Sequence, residues 1–268
     1  AGTWYIENGD ITVKAGDTEG TNKVKQGDSD FVKDEGDTII TGTSNQNTVT
    51  IETEKKDDKV EVTLKDVNID ASSRNEAAVS VTGSGDTTIE LDGSNTLNSG
   101  SGHAGLEHNK TDTSGELTIQ DKDKNGSLEA VGGFKGAGIG SAGSNDAQVK
   151  ITGGNITATG GDWGAGIGSG SDSNDTDGTA YVEITGGEIN ATGGFLGAGI
   201  GGGYNGSGNV TISGGTVNAT GGDFGAGIGG GYLGDGKVNI SGNATIENAK
   251  TGRYGAGIGG GKGGDGDV

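Results

Sequence analysis

The pentapeptide Gly-Ala-Gly-Ile-Gly constrains the fold of this chain more than any other feature. It occurs five times, starting at Gly136, Gly164, Gly197, Gly225 and Gly255, at intervals of 28 to 33 residues. A sequence that repeats with a period of this length folds as stacked units, because each unit buries its apolar face against the next one. The chain is therefore predicted to form a solenoid. The extra residues of the longer intervals fall among Ser, Asn, Asp and Gly, which places them in loops.

Each unit contains three short runs in which apolar and polar residues alternate. Examples are Val149–Ile151, Ile156–Thr159 and the pentapeptide itself, where Ala137 and Ile139 share one face. Alternation over so few residues, bounded by glycine pairs, indicates half-buried strands. A helix is disfavoured because each internal glycine costs about 0.5–1 kcal/mol relative to alanine. The predicted fold is all-β, a single-stranded parallel β-helix with three short strands per coil of about 27–33 residues.

One period runs through both halves of the chain. Val79 and Leu106 align with Ile139 of the first pentapeptide, at steps of 27 and 33 residues. We therefore predict an N-terminal cap with a first irregular coil at 1–45, charged coils at 46–130 and glycine-rich coils, continuous with them, at 131–268. The last residues, 264–268, resemble 234–238, which open a coil. Further repeats of the same chain are expected beyond Val268.

Composition excludes several classes of partner. Only 28% of the residues are hydrophobic, which suits a solenoid with a thin core, and there is no cysteine for a disulfide or thiolate site. The formal net charge of −20 argues against binding to nucleic acid or to anionic lipid. No apolar run approaches the roughly 18 residues of a membrane span, so membrane insertion is not expected.

The charged coils resemble a known family. The segments 58–69, 77–81 and 86–91 are similar to the β-helical carbohydrate-binding domain of bacterial cell-surface proteins. The Gly-Ala-Gly-Ile-Gly-Gly-Gly units resemble the glycine-rich arrays that often follow that domain. The resemblance implies a right-handed helix, an extracellular location on the bacterial surface and polysaccharide binding without catalysis, with calcium in some members.

Aromatic residues recur at fixed places in the glycine-rich coils. One ring comes one or two residues before each glycine strand, and two tyrosines follow such strands: Phe134, Trp163, Phe195, Phe224 and Tyr254, then Tyr204 and Tyr232. Stacking would align the first five in a column along one corner and the two tyrosines in a similar pair. A column of flat rings suits sugar rings, whose CH groups stack on π-faces. The alternative is that these rings only shield the corner.

The glycines of the pentapeptide alternate with inward Ala and Ile, so they are expected to point outward. That arrangement predicts a bare, flat strip with accessible backbone, which a flat polymer could contact. The alternative, which we favour, is steric: glycine allows tight corners and the close approach of another chain segment.

Two acidic loops are candidate calcium sites. Asp121, Asp123 and Asn125 place oxygen ligands at every second residue before Gly126, as in the opening of a calcium loop. The bidentate acid expected six residues after that glycine is missing, since Gly132 stands there. Asp172, Asp175 and Asp177 form the second group, with irregular spacing. Asp, Asn and Gly are also ordinary turn residues. Bound Ca²⁺ is the one cofactor that the sequence indicates.

Catalysis is not expected. His103 and His108 have opposite strand parity and face apart, and no basic residue or pair of carboxylates recurs as a lyase or glycosidase would need. The predicted function is that of a non-enzymatic extracellular β-helix that binds polysaccharide or acts as an adhesive stalk. The alternative is a purely structural repeat stalk. A polysaccharide lyase, or an ice-binding solenoid using Thr157, Thr159 and their equivalents, is a further alternative.

Overall fold

The computed structural model describes residues 2–173 and 176–268 of the chain. Strands dominate it throughout. The first elements are β1 (Thr3–Tyr5), one 3₁₀ turn (Ile6–Asn8), β2 (Ile11–Ala15), β3 (Asn22–Gln26), β4 (Val32–Asp34), β5 (Thr38–Ser44), β6 (Val49–Thr53), β7 (Lys59–Asp70), β8 (Val79–Gly83), β9 (Asp86–Asn98), β10 (Leu106–Glu107) and β11 (Asn109–Lys110). The remaining strands are β12 (Leu117–Gln120), β13 (Gly126–Val131), β14 (Ile139–Gly140), β15 (Asp146–Ile151), β16 (Asn155–Thr159), β17 (Ile167–Gly168), β18 (Ala180–Ile184), β19 (Glu188–Thr192), β20 (Ile200–Gly201), β21 (Gly208–Ile212), β22 (Thr216–Thr220), β23 (Ile228–Gly229), β24 (Gly236–Ile240), β25 (Thr245–Lys250), β26 (Ile258–Gly259) and β27 (Gly266–Asp267).

The strands stack in parallel on three faces, as a parallel β-helix requires. The first face carries β9, β12, β15, β18, β21, β24 and β27, and the second carries β9, β13, β16, β19, β22 and β25. The third face, formed by the glycine pentapeptides in the later coils, carries β2, β6, β8, β10, β14, β17, β20, β23 and β26. The predicted fold class is therefore confirmed. Its handedness stays a prediction.

Like residues stack on like residues along the interior. On the third face Ile139 pairs with Ile167, Ile167 with Ile200, Ile200 with Ile228 and Ile228 with Ile258. The column continues backwards through Leu106, Val79, Val49 and Ile11. Ile139, Ile167, Ile200 and Ile228 are fully buried. Ile258, on the last strand of the face, is half-buried. This column confirms the predicted period, and with the buried residues of the other two faces it forms the core, because no single coil buries its own apolar face.

The predicted exposed glycine strip is wrong. Gly138, Gly166 and Gly199 are buried, because the next coil lies against them. A Cβ atom on Gly199 would lie 2.6 Å from the carbonyl oxygen of Gly227 and 2.8 Å from the nitrogen of Thr220. These glycines therefore allow neighbouring coils to approach closely at the corner between the second and third faces. The steric interpretation is confirmed.

The early coils depart from three separate strands. Residues 60–64 and 67–69, which alternate like the first two runs of a later coil, belong to one long strand, β7, whose register shifts between Lys65 and Asn68. Asp66 in that bend adopts a positive φ of 50°. Only two residues connect the runs, so pairing continues around the corner. Later coils separate the same runs with turns such as 152–154, where Gly154 has a φ of 102°.

The N-terminal end has its own pairing. β1 pairs in parallel with β5, and β2 with β6, so residues 3–15 contribute strands to two faces. β3 then pairs antiparallel with β2, and β4 antiparallel with β3. The outer edge of β2 is thereby covered, as an exposed strand edge would otherwise invite pairing with another chain. The predicted boundaries at residues 45 and 130 are not tested by this pairing and stay predictions.

A candidate binding surface of aromatic rings

The third-face strands of the glycine-rich coils are two residues long, and the loops on either side of each one meet at a single corner. Within a coil the chain reverses tightly, since the nitrogen of Ala198 donates to the carbonyl of Gly202 over 2.9 Å. Between coils the loop after one strand bonds to the loop before the preceding one. The nitrogen of Tyr204 donates to Trp163 over 2.8 Å, and that of Lys262 to Phe224 over 2.9 Å. Side chains from both kinds of loop are thus brought to one edge.

The seven predicted aromatic side chains make one connected row along this edge. Their ring centroids lie 4.7 Å apart for Phe134–Trp163, 5.9 Å for Trp163–Tyr204, 5.5 Å for Tyr204–Tyr232, 5.0 Å for Tyr232–Phe224, 5.4 Å for Phe224–Phe195 and 5.2 Å for Phe224–Tyr254. The sequence predicted two separate columns. The structure merges them, because Tyr204 and Tyr232 from the loops after the strands contact rings from the loops before them. We call these seven residues the ring row.

The ring row is both a packing element and an accessible surface. Phe195, Tyr254 and Phe134 are 50%, 49% and 41% exposed, whereas the other four rings are half-buried between them. Because the rings come from five successive coils at about 4.8 Å per coil, the row is about 19 Å long. It therefore offers flat apolar faces over a length that suits an extended ligand.

Polar columns run on the second face, a few residues before the rings in each coil. Thr159 pairs in register with Thr192 and Thr192 with Thr220, and the neighbouring outward column contains Thr157 and Asn190. These hydroxyl and amide groups can donate and accept hydrogen bonds at each coil. The mixture of Thr and Asn interrupts the regular threonine array expected of an ice-binding face.

Cations lie against both ends of the ring row. Lys135 Nζ is 5.6 Å from the Phe134 centroid and 5.5 Å from the Trp163 centroid. At the other end Lys262 Nζ is 4.8 Å from the centroid of Tyr254, and Arg253 Cζ is 5.4 Å from it. These distances are those of cation–π contacts.

The first predicted calcium loop is closed by its own hydrogen bonds. Asp121 accepts bonds from the backbone nitrogens of Asn125 and Gly126, over 3.2 and 3.0 Å. The Asn125 amide donates to Asp92 over 3.0 Å. A bound Ca²⁺ would have to compete with these bonds for the carboxylate oxygens of Asp121. Ca²⁺ binding at Asp121, Asp123 and Asn125 stays a prediction.

In the second predicted loop, the ammonium group of Lys135 already pairs with one of the carboxylates. Lys135 Nζ lies 2.8 Å from Asp172, and the buried carboxylate of Asp177 accepts bonds from the Ser171 hydroxyl and the Asp172 nitrogen. Asp175 lies outside the described residues. Within 2–173 and 176–268, no three His, Cys, Asp or Glu side chains are grouped to hold a metal ion. Ca²⁺ at this loop likewise stays a prediction.

A bridged pair of carboxylates was missed at the sequence level. Gln120 donates from Nε2 to Glu90 over 2.9 Å and to Glu61 over 3.3 Å, and Lys122 Nζ lies 3.4 Å from Glu61. Burial raises the pKa of Glu90 above its ordinary value. Glu61, Glu90 and Gln120 come from β7, β9 and β12. The register between coils brings them together, and their spacing in the sequence does not reveal the cluster. It links three coils on the outside of the first face.

The two histidines lie in separate environments, as predicted. His103 contacts Glu107 at 3.1 Å, whereas the His108 ring is buried between the carbonyl oxygens of Val81 and Gly115, at 3.1 and 3.0 Å. Burial lowers the pKa of His108 below its ordinary value, although both carbonyl contacts act in the opposite direction. The folded chain therefore binds a proton at His108 less readily than the unfolded chain does.

His108 is expected to make the fold less stable in mild acid. Protons bind the unfolded chain more strongly, so stability falls as the pH drops below about 6.5, by up to about 1.4 kcal/mol per pH unit. His108→Gln should flatten this slope between pH 7.5 and 5.5, measured by urea unfolding. Hydrogen bonds lower the pKa values of the Asp58 and Asp70 carboxyls from 3.8. Their contribution to the stability of the fold is therefore lost only at lower pH than that of His108. An unchanged slope in the variant would contradict the expectation.

The architecture defines the class of protein as a parallel β-solenoid, and its repeats match a known family model. Residues 149–171, 182–204, 210–232 and 238–262 match the model described as "Beta helix repeat". Each matched segment begins in a first-face strand and ends in the loop after a third-face strand. The matched repeats therefore agree with the parallel β-helix that the strands form. No curated protein and no solved structure matches it. Within 2–173 and 176–268, no helix is long and apolar enough to cross a membrane.

Proposed function

We propose that this chain is a non-catalytic polysaccharide-binding β-helix of an extracellular protein on the bacterial surface, and that the ring row is its binding surface. The observation that carries the proposal is the continuity of the row: seven rings from five coils are in contact, and three of them are strongly exposed. A purely structural shield would be served equally well by aliphatic side chains. Aromatic faces add stacking on the apolar faces of sugar rings.

The repeated geometry suits a polymer better than a small molecule. Each coil repeats the same few groups at a spacing of about 4.8 Å, so a chain of sugar units meets a similar environment at each step. Individual contacts are weak, but contacts made by one linked ligand add along its length. The Thr and Asn columns beside the row supply hydrogen-bonding groups for the sugar hydroxyls.

The proposal predicts that loss of a central ring weakens binding. Trp163→Ala and Phe224→Ala should each raise the Kd for a bound polysaccharide about tenfold, equivalent to about 1.4 kcal/mol. Isothermal titration against a panel of soluble plant and bacterial polysaccharides measures this, with thermal unfolding to verify that each variant is folded.

Tyr181→Ala is the matched control. Tyr181 is 41% exposed on β18, on the first face, and Lys110 rather than a ring of the row lies over it. This variant should bind like the unmodified chain. Binding that survives both Trp163→Ala and Phe224→Ala would contradict the ring row as the site. No binding to any glycan would favour the structural stalk, and release of unsaturated sugars would favour a lyase.

A further inference from the structure

The positive charges of the glycine-rich coils are concentrated at the ring row. After residue 130 the chain has six basic residues: Lys135, Lys150, Lys237, Lys250, Arg253 and Lys262. Three of the six, Lys135, Arg253 and Lys262, lie over rings of the row. In a chain of net charge −20, a surface for neutral sugars would not require this placement of positive charge.

Two of these cations have no acidic partner in the described part of the chain. Lys135 is paired with Asp172 at 2.8 Å, but no carboxylate of the described residues lies within 4.0 Å of Arg253 or Lys262. Both side chains are exposed. Lys262 Nζ lies 5.4 Å from the Phe224 centroid and 4.8 Å from that of Tyr254, so one ammonium group is held beside two rings. The rings orient these cations and leave their charge available.

We infer that the ring row binds an acidic polysaccharide, one whose sugars carry carboxylate groups. This inference rests on the proposed function. Sugar faces would stack on Phe224 and Tyr254 while the acid groups pair with Arg253 and Lys262. The planar guanidinium of Arg253 can donate two parallel hydrogen bonds to a carboxylate, and such bonds between charged groups are stronger than bonds to the hydroxyls of a neutral sugar.

The overall negative charge does not prevent this binding. At physiological ionic strength, interactions between exposed charges are screened beyond about 8 Å. Acidic groups on distant faces therefore contribute little at the row. Asp162 and Asp223, which directly precede Trp163 and Phe224, do oppose an acidic ligand, so its carboxylates must pair directly with Arg253 and Lys262 to bind. Raising the salt concentration should weaken binding, since the decisive pairs are exposed.

The test compares one polymer in charged and neutral form. Polygalacturonate and its fully methyl-esterified derivative have the same backbone, and only the first carries free carboxylates. Titration at 0.15 M salt, as in physiological buffers, should give a Kd at least about tenfold lower for the acid form. The double variant Arg253→Gln/Lys262→Gln should abolish that difference. Lys150→Gln/Lys237→Gln, which removes two charges from the first face, should leave it intact.

The outcomes separate this inference from the proposed function. Equal binding of both forms, lost in Trp163→Ala, overturns the acidic class and keeps polysaccharide binding. Stronger binding of dextran sulfate than of polygalacturonate assigns the cations to sulfate and overturns the carboxylate assignment. A preference for the acid form that persists in Arg253→Gln/Lys262→Gln overturns the role of these two residues. If no polysaccharide of the wider panel binds, both proposals fail.

Discussion

Ile200→Ala is expected to lower the free energy of unfolding by about 2–5 kcal/mol, the range for large-to-small changes in a packed core. Ile200 is fully buried at the centre of the third-face column, with Ile167 before it and Ile228 after it. The neighbouring coils cannot collapse into the vacated space without breaking their shared register, so the cavity persists. Equilibrium unfolding in urea, followed by circular dichroism, measures the loss.

Ile258→Ala provides the matched control. It removes the same atoms at the same position of the last third-face strand, where the side chain is already half-buried. Its cost should be clearly smaller than that of Ile200→Ala. In a stack where each coil contacts only its neighbours, stability is roughly a sum of local terms, so the two positions report independently. Equal losses at both sites would contradict the deeper burial of Ile200.

Gly199→Ala is the second substitution with a large expected effect. The added methyl group would lie 2.6 Å from the Gly227 carbonyl oxygen and 2.8 Å from the Thr220 nitrogen, and these are backbone atoms that cannot move aside without shifting their coil. The two coils must separate locally, at a cost of about 1–3 kcal/mol or more. The same unfolding measurement applies. The circular dichroism spectrum of the folded variant should keep its β-sheet signal, because the change loosens one coil and does not produce a new fold.

Gly153→Ala tests whether the effect is steric. A Cβ atom there would meet its nearest neighbour, the Asp121 nitrogen, at 3.5 Å, an ordinary contact distance, and the backbone is not in the left-handed region. This substitution should be close to neutral. Where the native conformation accepts alanine, replacing glycine restricts the unfolded chain and so stabilises the folded state by about 0.4–1 kcal/mol. A neutral Gly199→Ala would show that the coils do not pack as closely as described.

The period and the inward residues were predictable because both follow from repetition. Aligning Val79, Leu106 and Ile139 by their spacing predicted the register that the strands adopt. The direction of the pentapeptide glycines was not predictable from alternation alone. Strand parity predicted that they face water, but it did not include the backbone of the next coil, which lies against Gly138 and Gly199.

The candidate site was predictable in its members and not in its connectivity. The recurrence of Trp163 and Phe224 before a glycine strand, and of Tyr204 after one, was visible in the sequence. Their contact depends on a hydrogen bond between loops of adjacent coils, from the Tyr204 nitrogen to the Trp163 carbonyl. The spacing of residues in the sequence does not predict this bond. The bridge from Gln120 to Glu61 and Glu90 was missed for the same reason, since it joins three coils.

The uniform register has a consequence for how such a chain changes length. Since Ile200 and Ile228 occupy equivalent positions, a segment such as 197–224 begins and ends at interchangeable points of the path. Its in-frame deletion or duplication at the gene level would rejoin Ala, Ile and Thr columns without altering any of them. The molecule would shorten or lengthen by one rise of about 4.8 Å and lose or gain two rings of the row, those of Tyr204 and Phe224. Recombination between repeats can therefore adjust its reach in fixed increments.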